Sequence, residues 1–521
     1  MFNLSTILED NLRNCPDKDA FIFNDVRFSY RQINEAANRA ANMLVAKGIQ
    51  PGDKIALSCL NLPHFPILYY GILKTGAVVV PVNVLLKANE IGYVLNNSDA
   101  KVFLCFEGTP ELPMAQEGYA GFQQAVNCEE FIPIMTKNEA PSPFPDTVTY
   151  GQLLNQQPVE FNTVQTNGHD TAVIIYTSGT TGQPKGAELS HDNLFLNANV
   201  TRRLLESTQQ DTQIITLPLF HIFAMTCQLN TGVYSGETSI LIPRFDPETV
   251  LGAMLKYRAT IFCAVPTMYW GLLNYENENL DYNGIKENLR ICLSGGASLP
   301  VQVLEDFEKK YEVPILEGYG MSEGSPVVTF NHLHKKRKPG SIGTPVWGVD
   351  VMVADQNNKP LPPGEKGQIL YRGHNVMKGY YKDPHATEQA IKGGWMHSGD
   401  VGVMDEDGYF YIVDRTKDMI IRGGFNVYPR EVEEVMIRHE DISLVAVIGV
   451  PDEQHGEEIK ACVVLERGKQ ISKEEIIHWS KEHLATYKYP RIVEFMDTLP
   501  INATGKIMKN ELRKMHATVD Q

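Results

Sequence analysis

Ile174-Ile175-Tyr176-Thr177-Ser178-Gly179-Thr180-Thr181-Gly182-Gln183-Pro184-Lys185-Gly186 is the most informative stretch of the chain. The apolar, β-branched run from Thr171 to Ile175 predicts a buried strand. It breaks into a loop with three glycines, four hydroxyls and one lysine. Ser190 then offers an N-cap to a helix from about His191 to Leu205. Glycines let the backbone turn its amides toward a ligand, while the hydroxyls add donors and the lysine a mobile positive charge. Such a loop is suited to cradling phosphate. It is not a Walker A loop, because Pro184 precedes Lys185 and Gly186 follows it, which breaks the G-x-x-x-x-G-K-[ST] spacing.

The segments before and after this loop alternate between helical and strand patterns. Upstream, Tyr30 to Ala46 carries apolar residues at helical spacing, Lys54 to Ser58 reads as a strand, Ile67 to Leu73 as a helix and Ala77 to Val82 as another strand. Alternation of this kind predicts α/β architecture, with parallel sheets covered by helices. Residues 107–168 are richer in Pro, Glu and Gln and read as a connector between two such parts. Downstream, Pro218 to Met225 reads as a strand end leading into a helix, and Leu293 to Ser298 as a strand followed by a small-residue turn. The last hundred residues read as a small α/β domain. Pro429 stands at the first position of a helix, Leu444 to Val450 and Ala461 to Leu465 are strands, and Ser472 with Glu475 forms a capping box.

At 521 residues the chain is too long for one ordinary core. Its hydrophobic content of 43% and charged content of 21% are those of a soluble globular protein. A formal net charge of −16 argues against a nucleic-acid partner. The one basic run, Lys335-Lys336-Arg337-Lys338, reads first as a solvated loop and second as a docking point for an anionic cofactor. The eight cysteines are scattered without a C-x-x-C pair, as expected of reduced thiols. The start of the chain shows no basic-then-apolar leader, and the apolar region Phe65 to Val82 is too short to span a bilayer. The expected compartment is the cytoplasm.

The order S-G-T-T-G-x-P-K-G resembles the phosphate loop of the adenylate-forming superfamily of acyl-CoA synthetases, adenylation domains and luciferases. Further stretches resemble that superfamily in the same order, over roughly Leu57 to Lys506. The resemblance implies a large N-terminal domain (1–416) of α/β subdomains plus a smaller β part, and a mobile C-terminal α+β domain (417–521) with its hinge at Lys417. It implies that Thr177, Ser178, Gly179, Thr180, Thr181, Gly182 and Lys185 hold the β- and γ-phosphates of ATP. His221, in Pro218-Leu219-Phe220-His221-Ile222-Phe223, would lie beside the carboxylate pocket. Gly295, Gly296 and Ala297 would border adenine.

In Gly318-Tyr319-Gly320-Met321-Ser322-Glu323, Tyr319 offers a face for adenine, Ser322 a hydroxyl for phosphate and Glu323 a hard oxygen ligand for Mg2+. Relatives usually carry Thr where Ser322 stands, and the hydroxyl is kept. Asp400 and Arg415 would hold the ribose. The lysine of Asn502-Ala503-Thr504-Gly505-Lys506 would reach into the active site, and Gly423 and Gly424 would leave room for a pantetheine arm. Relatives that activate amino acids carry an Asp where this chain has Ile222, and an apolar residue cannot neutralise a buried ammonium.

The implied reaction has two steps, acyl-adenylate formation from ATP with Mg2+ and transfer to CoA. The likeness is strongest to bacterial medium- and long-chain fatty acyl-CoA synthetases, carried by Val265-Pro266-Thr267-Met268-Tyr269 and Asn426-Val427-Tyr428-Pro429-Arg430-Glu431. Ala224, Cys227, Gln228 and Gly232 suit either the wall of an acyl tunnel or ordinary packing. An aryl-acid ligase, an acyl-AMP ligase serving a carrier protein and a silent binding protein are the alternatives. The expected partners are a fatty acid and CoA, with no nucleic acid. A homodimer and a peripheral membrane contact are left open.

Overall fold

The computed structural model describes residues 2–177, 183–415, 418–452 and 454–519. Two sheets share the first 380 residues, and both are parallel at their centres, as the alternating pattern predicts. In one, five parallel strands run in the order Thr171–Thr177, Val78–Pro81, Lys54–Ser58, Ala100–Phe106 and Glu130–Ile134. Lys185–Ser190 and Gly379–Tyr380 extend it with antiparallel pairings. The other sheet has nine strands, with Ile261–Ala264, Ile291–Ser294 and Ile315–Gly320 side by side and parallel. Near-continuous burial of these strands marks sheets covered on both faces. A single apolar cluster, including Phe65, Tyr69, Leu104, Ile174 and Phe262, joins the two sheets through their helices.

Helix ends follow their sequence signals. Ser29 caps Tyr30–Ala46 in a capping box with Gln32, and Ser190 caps His191–Leu205 with Asn193. Each such cap contributes about 1 kcal/mol. The helix read as Ile67 to Leu73 is His64–Lys74 and is buried all round, which is why its apolar run resembles a short membrane segment. No helix among the described residues is long and apolar enough to cross a membrane.

Three readings change. Residues 107–168 are more than a connector, because Glu130–Ile134 is the edge strand of the first sheet and Met114–Phe122 covers it. The phosphate loop leads into a second strand, Lys185–Ser190, before the helix, so it closes a β-hairpin. Phe223–Asn230 winds as wide π-helical turns, with the Thr231 N–H bonded to the Thr226 carbonyl five residues back.

After Gly343 the chain forms an antiparallel sheet from Val349–Ala354, Gly367–Gly373, Ile391–Lys392, Trp395–Met404 and Phe410–Arg415. The last hundred residues build their own mixed sheet on Ile442–Asp452 and Gly456–Leu465, with a separate core around Val432, Val447, Ile459 and Ile476. Helix Pro429–Met436 has Pro429 at its first turn, and Ser472 with Glu475 makes the expected capping box. All eight cysteines are free thiols, and seven are buried.

Candidate active site

The hairpin around the phosphate loop ends in a cross-strand pair, Thr177 opposite Lys185. Ser178, Gly179, Thr180, Thr181 and Gly182 lie outside the described residues. Thr177 faces Glu323 directly, and Lys185 faces Tyr380, which itself bonds Glu323. The Thr177 hydroxyl lies 3.5 Å from Glu323 Oε1, and the Tyr380 hydroxyl donates to the same oxygen at 2.8 Å. The Lys185 ammonium sits 5.3 Å from the centre of the Tyr380 ring. Tyr380 thus ties the metal candidate Glu323 to Lys185, a contact no local pattern announces, since it reaches this place through strand pairing with Ala187.

Glu323 is buried in a short turn, Ser322–Gly324, directly after strand Ile315–Gly320. Its donor set suits Mg2+. One carboxylate flanked by hydroxyls is what this ion takes from protein, with water and phosphate oxygens supplying the rest. Among the described residues no cluster of three or more His, Cys, Asp or Glu forms an all-protein cage.

Gly318 and Gly320 have a reason the sequence did not reveal. A Cβ on Gly318 would fall 2.0 Å from the Phe330 ring, and one on Gly320 would fall 1.9 Å from the Pro326 carbonyl oxygen. Both glycines let the next strand close on Tyr319. The Tyr319 hydroxyl in turn donates to Asp400 Oδ2, and burial followed by the Asp400 charge pushes that phenol well above its usual range. Asp400 lies within strand Trp395–Met404, directly opposite Arg415. The two ribose candidates are therefore cross-strand neighbours, with Arg415 placed by its backbone alone. The Tyr371 hydroxyl is buried without a partner among the described residues, and the charges of Glu323 and Asp400 act on it.

Gly295, Gly296 and Ala297 follow strand Ile291–Ser294, and a Cβ on Gly295 would meet the Phe223 ring at 3.3 Å. A Cβ on Gly296 would lie 3.6 Å from Lys506 Cε. Lys506 therefore reaches the loop read as an adenine border. It also acts on His221, whose ring is pushed down to about 3, first by burial and then by the Lys506 charge. The imidazole is neutral at any working pH, and its Nδ1 accepts the Phe223 N–H at 3.3 Å.

Not every candidate gathers here. Lys417 lies outside the described residues. Gly423 and Gly424 form the turn of a hairpin, Ile420–Arg422 with Phe425–Val427, with φ of +56° and +82°. Gly423 N–H donates to the His455 carbonyl and Phe425 stacks on Tyr487, so this turn is not at the Lys506 site. The helical residues after His221 are closely packed. The Gln228 amide donates to the Ile214 carbonyl at 2.9 Å, and a Cβ on Gly232 would fall 2.1 Å from the Gln213 amide nitrogen. In the basic run, Arg337 pairs with Glu308, and Lys338 with Asp405 and Asp407.

The model of the AMP-binding enzyme family matches residues 8–381, and that of the AMP-binding enzyme C-terminal domain matches residues 431–506. The chain belongs to the AMP-binding enzyme family. A long-chain-fatty-acid–CoA ligase of Bacillus subtilis is 36% identical over 98% of this chain and 94% of its own length. A feruloyl-CoA synthase of an Amycolatopsis species is 36% identical over 96% of both. The crystal structure of ATP-bound MatB from Rhodopseudomonas palustris superposes with a TM-score of 0.88 at 32% identity, covering 100% of this chain and 99% of that one. The protein is an AMP-forming acid–CoA ligase with ATP and CoA as its substrates.

Proposed function

We propose that the enzyme activates a medium- to long-chain fatty acid. A fatty carboxylate oxygen attacks the α-phosphorus of ATP, pyrophosphate leaves, and the acyl-adenylate remains. The CoA thiol then attacks the acyl carbon, AMP leaves with the bonding pair, and the thiol proton passes to solvent. The observation that carries this reading is the approach of Lys506 to His221 and Gly296. The first step brings two anions together, and a cation held between the carboxylate pocket and the nucleotide offsets their repulsion.

In this reading Thr177 to Lys185 hold the β- and γ-phosphates, Tyr319 and Gly295 to Ala297 the adenine, and Asp400 with Arg415 the ribose, fixing the line of attack. Mg2+, when bound at Glu323, would neutralise charge developing on the phosphates. Residues 1–416 hold ATP and acid, and residues 417–521 swing about Lys417, withdrawing Lys506 and bringing Gly423 and Gly424 to the thiol's path.

The long-chain ligases among the relatives, together with apolar Ile222 and Phe223 beside His221, support the fatty acid. The feruloyl-CoA synthase, equally identical, supports an aryl acid as the second reading. AMP release should be measured with ATP and Mg2+ over a ladder of fatty and aryl acids, each with and without CoA. CoA-dependent turnover peaking at one fatty chain length is the expected result. A peak on cinnamate- or benzoate-like acids would move the enzyme to the second reading, and pyrophosphate release indifferent to CoA would make it an acyl-AMP ligase.

A further inference from the structure

Lys506 is carried by a turn that its own residues make rigid. The Asn502 carboxamide oxygen accepts the Thr504 N–H, the Thr504 hydroxyl and the Lys506 N–H at 3.0, 2.7 and 2.9 Å. A rigid turn delivers its lysine accurately only if the turn itself is anchored to the other half of the enzyme. Helix Pro266–Leu273 supplies that anchor. The Thr267 hydroxyl donates to the Gly505 carbonyl at 2.8 Å, across 238 residues of sequence. Gly505 has a φ of +79°, and a Cβ there would fall 2.6 Å from Val265 Cγ2, so the backbone beside Lys506 presses directly on the segment leading into this helix. Three residues on from Thr267, and so on the same helical face, the Trp270 indole N–H donates to the Ser443 hydroxyl at 3.1 Å. Ser443 is buried and belongs to the C-terminal sheet.

We infer that Thr267 is a positioning residue for the first half-reaction, its hydroxyl holding the Gly505 carbonyl so that Lys506 points at the carboxylate and α-phosphate, with Trp270 a second tether from the same helix face. The inference rests on the proposed role of Lys506. Because Lys506 must withdraw before the thiol can attack, the Thr267–Gly505 bond has to break between the two steps. Thr267 therefore acts in one half-reaction only, which a residue needed merely for folding would not.

The test uses the full-length enzyme and two assays with dodecanoate or the best acid of the panel. One is single-turnover pyrophosphate release from ATP and acid without CoA. The other is thioester formation from supplied acyl-AMP and CoA. Thr267→Val, which keeps the side-chain shape and removes the hydroxyl, should slow adenylation by about three- to tenfold, the worth of one hydrogen bond. It should leave thioester formation as fast or faster. Thr267→Ser, which keeps the donor, should recover most of the adenylation rate. In a Lys506→Ala background Thr267→Val should add no further loss, because the residue acts through Lys506. Equal slowing of both half-reactions, an unchanged adenylation rate, or a Ser variant no better than Val would each overturn the role of Thr267. Adenylation that survives Lys506→Ala would instead overturn the reading of Lys506, and the anchor with it.

Discussion

Lys506 and His221 form the residue pair on which the proposed chemistry turns. Their closeness sets how each should respond to change. Lys506→Ala removes the only charge assigned to the meeting point of carboxylate and α-phosphate, so adenylation should fall by about 10²–10³-fold. Thioester formation from supplied acyl-AMP should persist, and loss of both steps together would sink the assignment. His221 makes a different prediction. Burial and then Lys506 hold its imidazole neutral down to about pH 3. A histidine with that value cannot produce the limb near pH 6.5 that an ordinary one would. The pH profiles of kcat/KM for the parent and for His221→Asn should therefore share one shape between pH 5.5 and 8.5 and differ in height alone. An inflection near 6.5 present in the parent and absent from the variant would show that the ring titrates in the working range.

Among the elements, strand Ile315–Gly320 matters most, since it carries Tyr319 and delivers Glu323. Gly320→Ala would push a methyl to 1.9 Å from a backbone oxygen of the neighbouring segment. Backbone cannot rotate away as a side chain can, so the strands must part, at a cost on the order of 2–3 kcal/mol. The variant should melt several degrees lower, and ATP should stabilise it less than it stabilises the parent, because Tyr319 shifts with the strand. Undiminished stabilisation by ATP would mean that Tyr319 is not a nucleotide contact.

Elements were legible in the sequence where a cap or a period marked them. His191–Leu205 was legible because Ser190 announces it, and Tyr30–Ala46 from its apolar spacing, where the structure adds the Ser29 cap. Lys185–Ser190 was missed because Lys, Gly and Glu look like loop, and only its partner strand supplies the reason for its extended form. The strand holding Asp400 was hidden in the same way behind Ser398 and Gly399, whose φ of +76° is a turn conformation inside a paired strand. The motifs placed Lys506 and Glu323, but nothing local could show Tyr380 on Glu323 or Thr267 on Gly505, for both contacts join segments far apart in sequence.

Across the whole molecule, charges of the C-terminal helix act on Glu317, which is buried on strand Ile315–Gly320. Its Oε1 accepts the Leu299 N–H at 3.0 Å, its Oε2 is buried without a partner among the described residues, and it borders an 80 Å³ cavity. Arg430 and Glu434 of the C-terminal helix and Glu308, Arg337 and Lys338 around the cavity are the charges nearby. Burial outweighs Arg430 and raises the Glu317 carboxyl to about 7 from its ordinary 4.5. Between those two values the folded protein keeps a proton that the unfolded chain releases. Stability from this group is therefore full below pH 4.5 and is lost as pH rises to 7. Glutamine cannot ionise, so Glu317→Gln escapes that loss. Its stability relative to the parent should show no pH-linked gain below pH 4.5 and a gain growing to a plateau above pH 7, on the order of 3 kcal/mol. His191 and His221, pushed down to about 4 and about 3, have the opposite sign and lose stability as pH falls below 6.5. They are common to both proteins and cancel in the difference. Urea unfolding of parent and variant at pH 4.5, 6 and 8 measures that difference directly, and an equal gap at all three would show that Glu317 is already ionised in the fold.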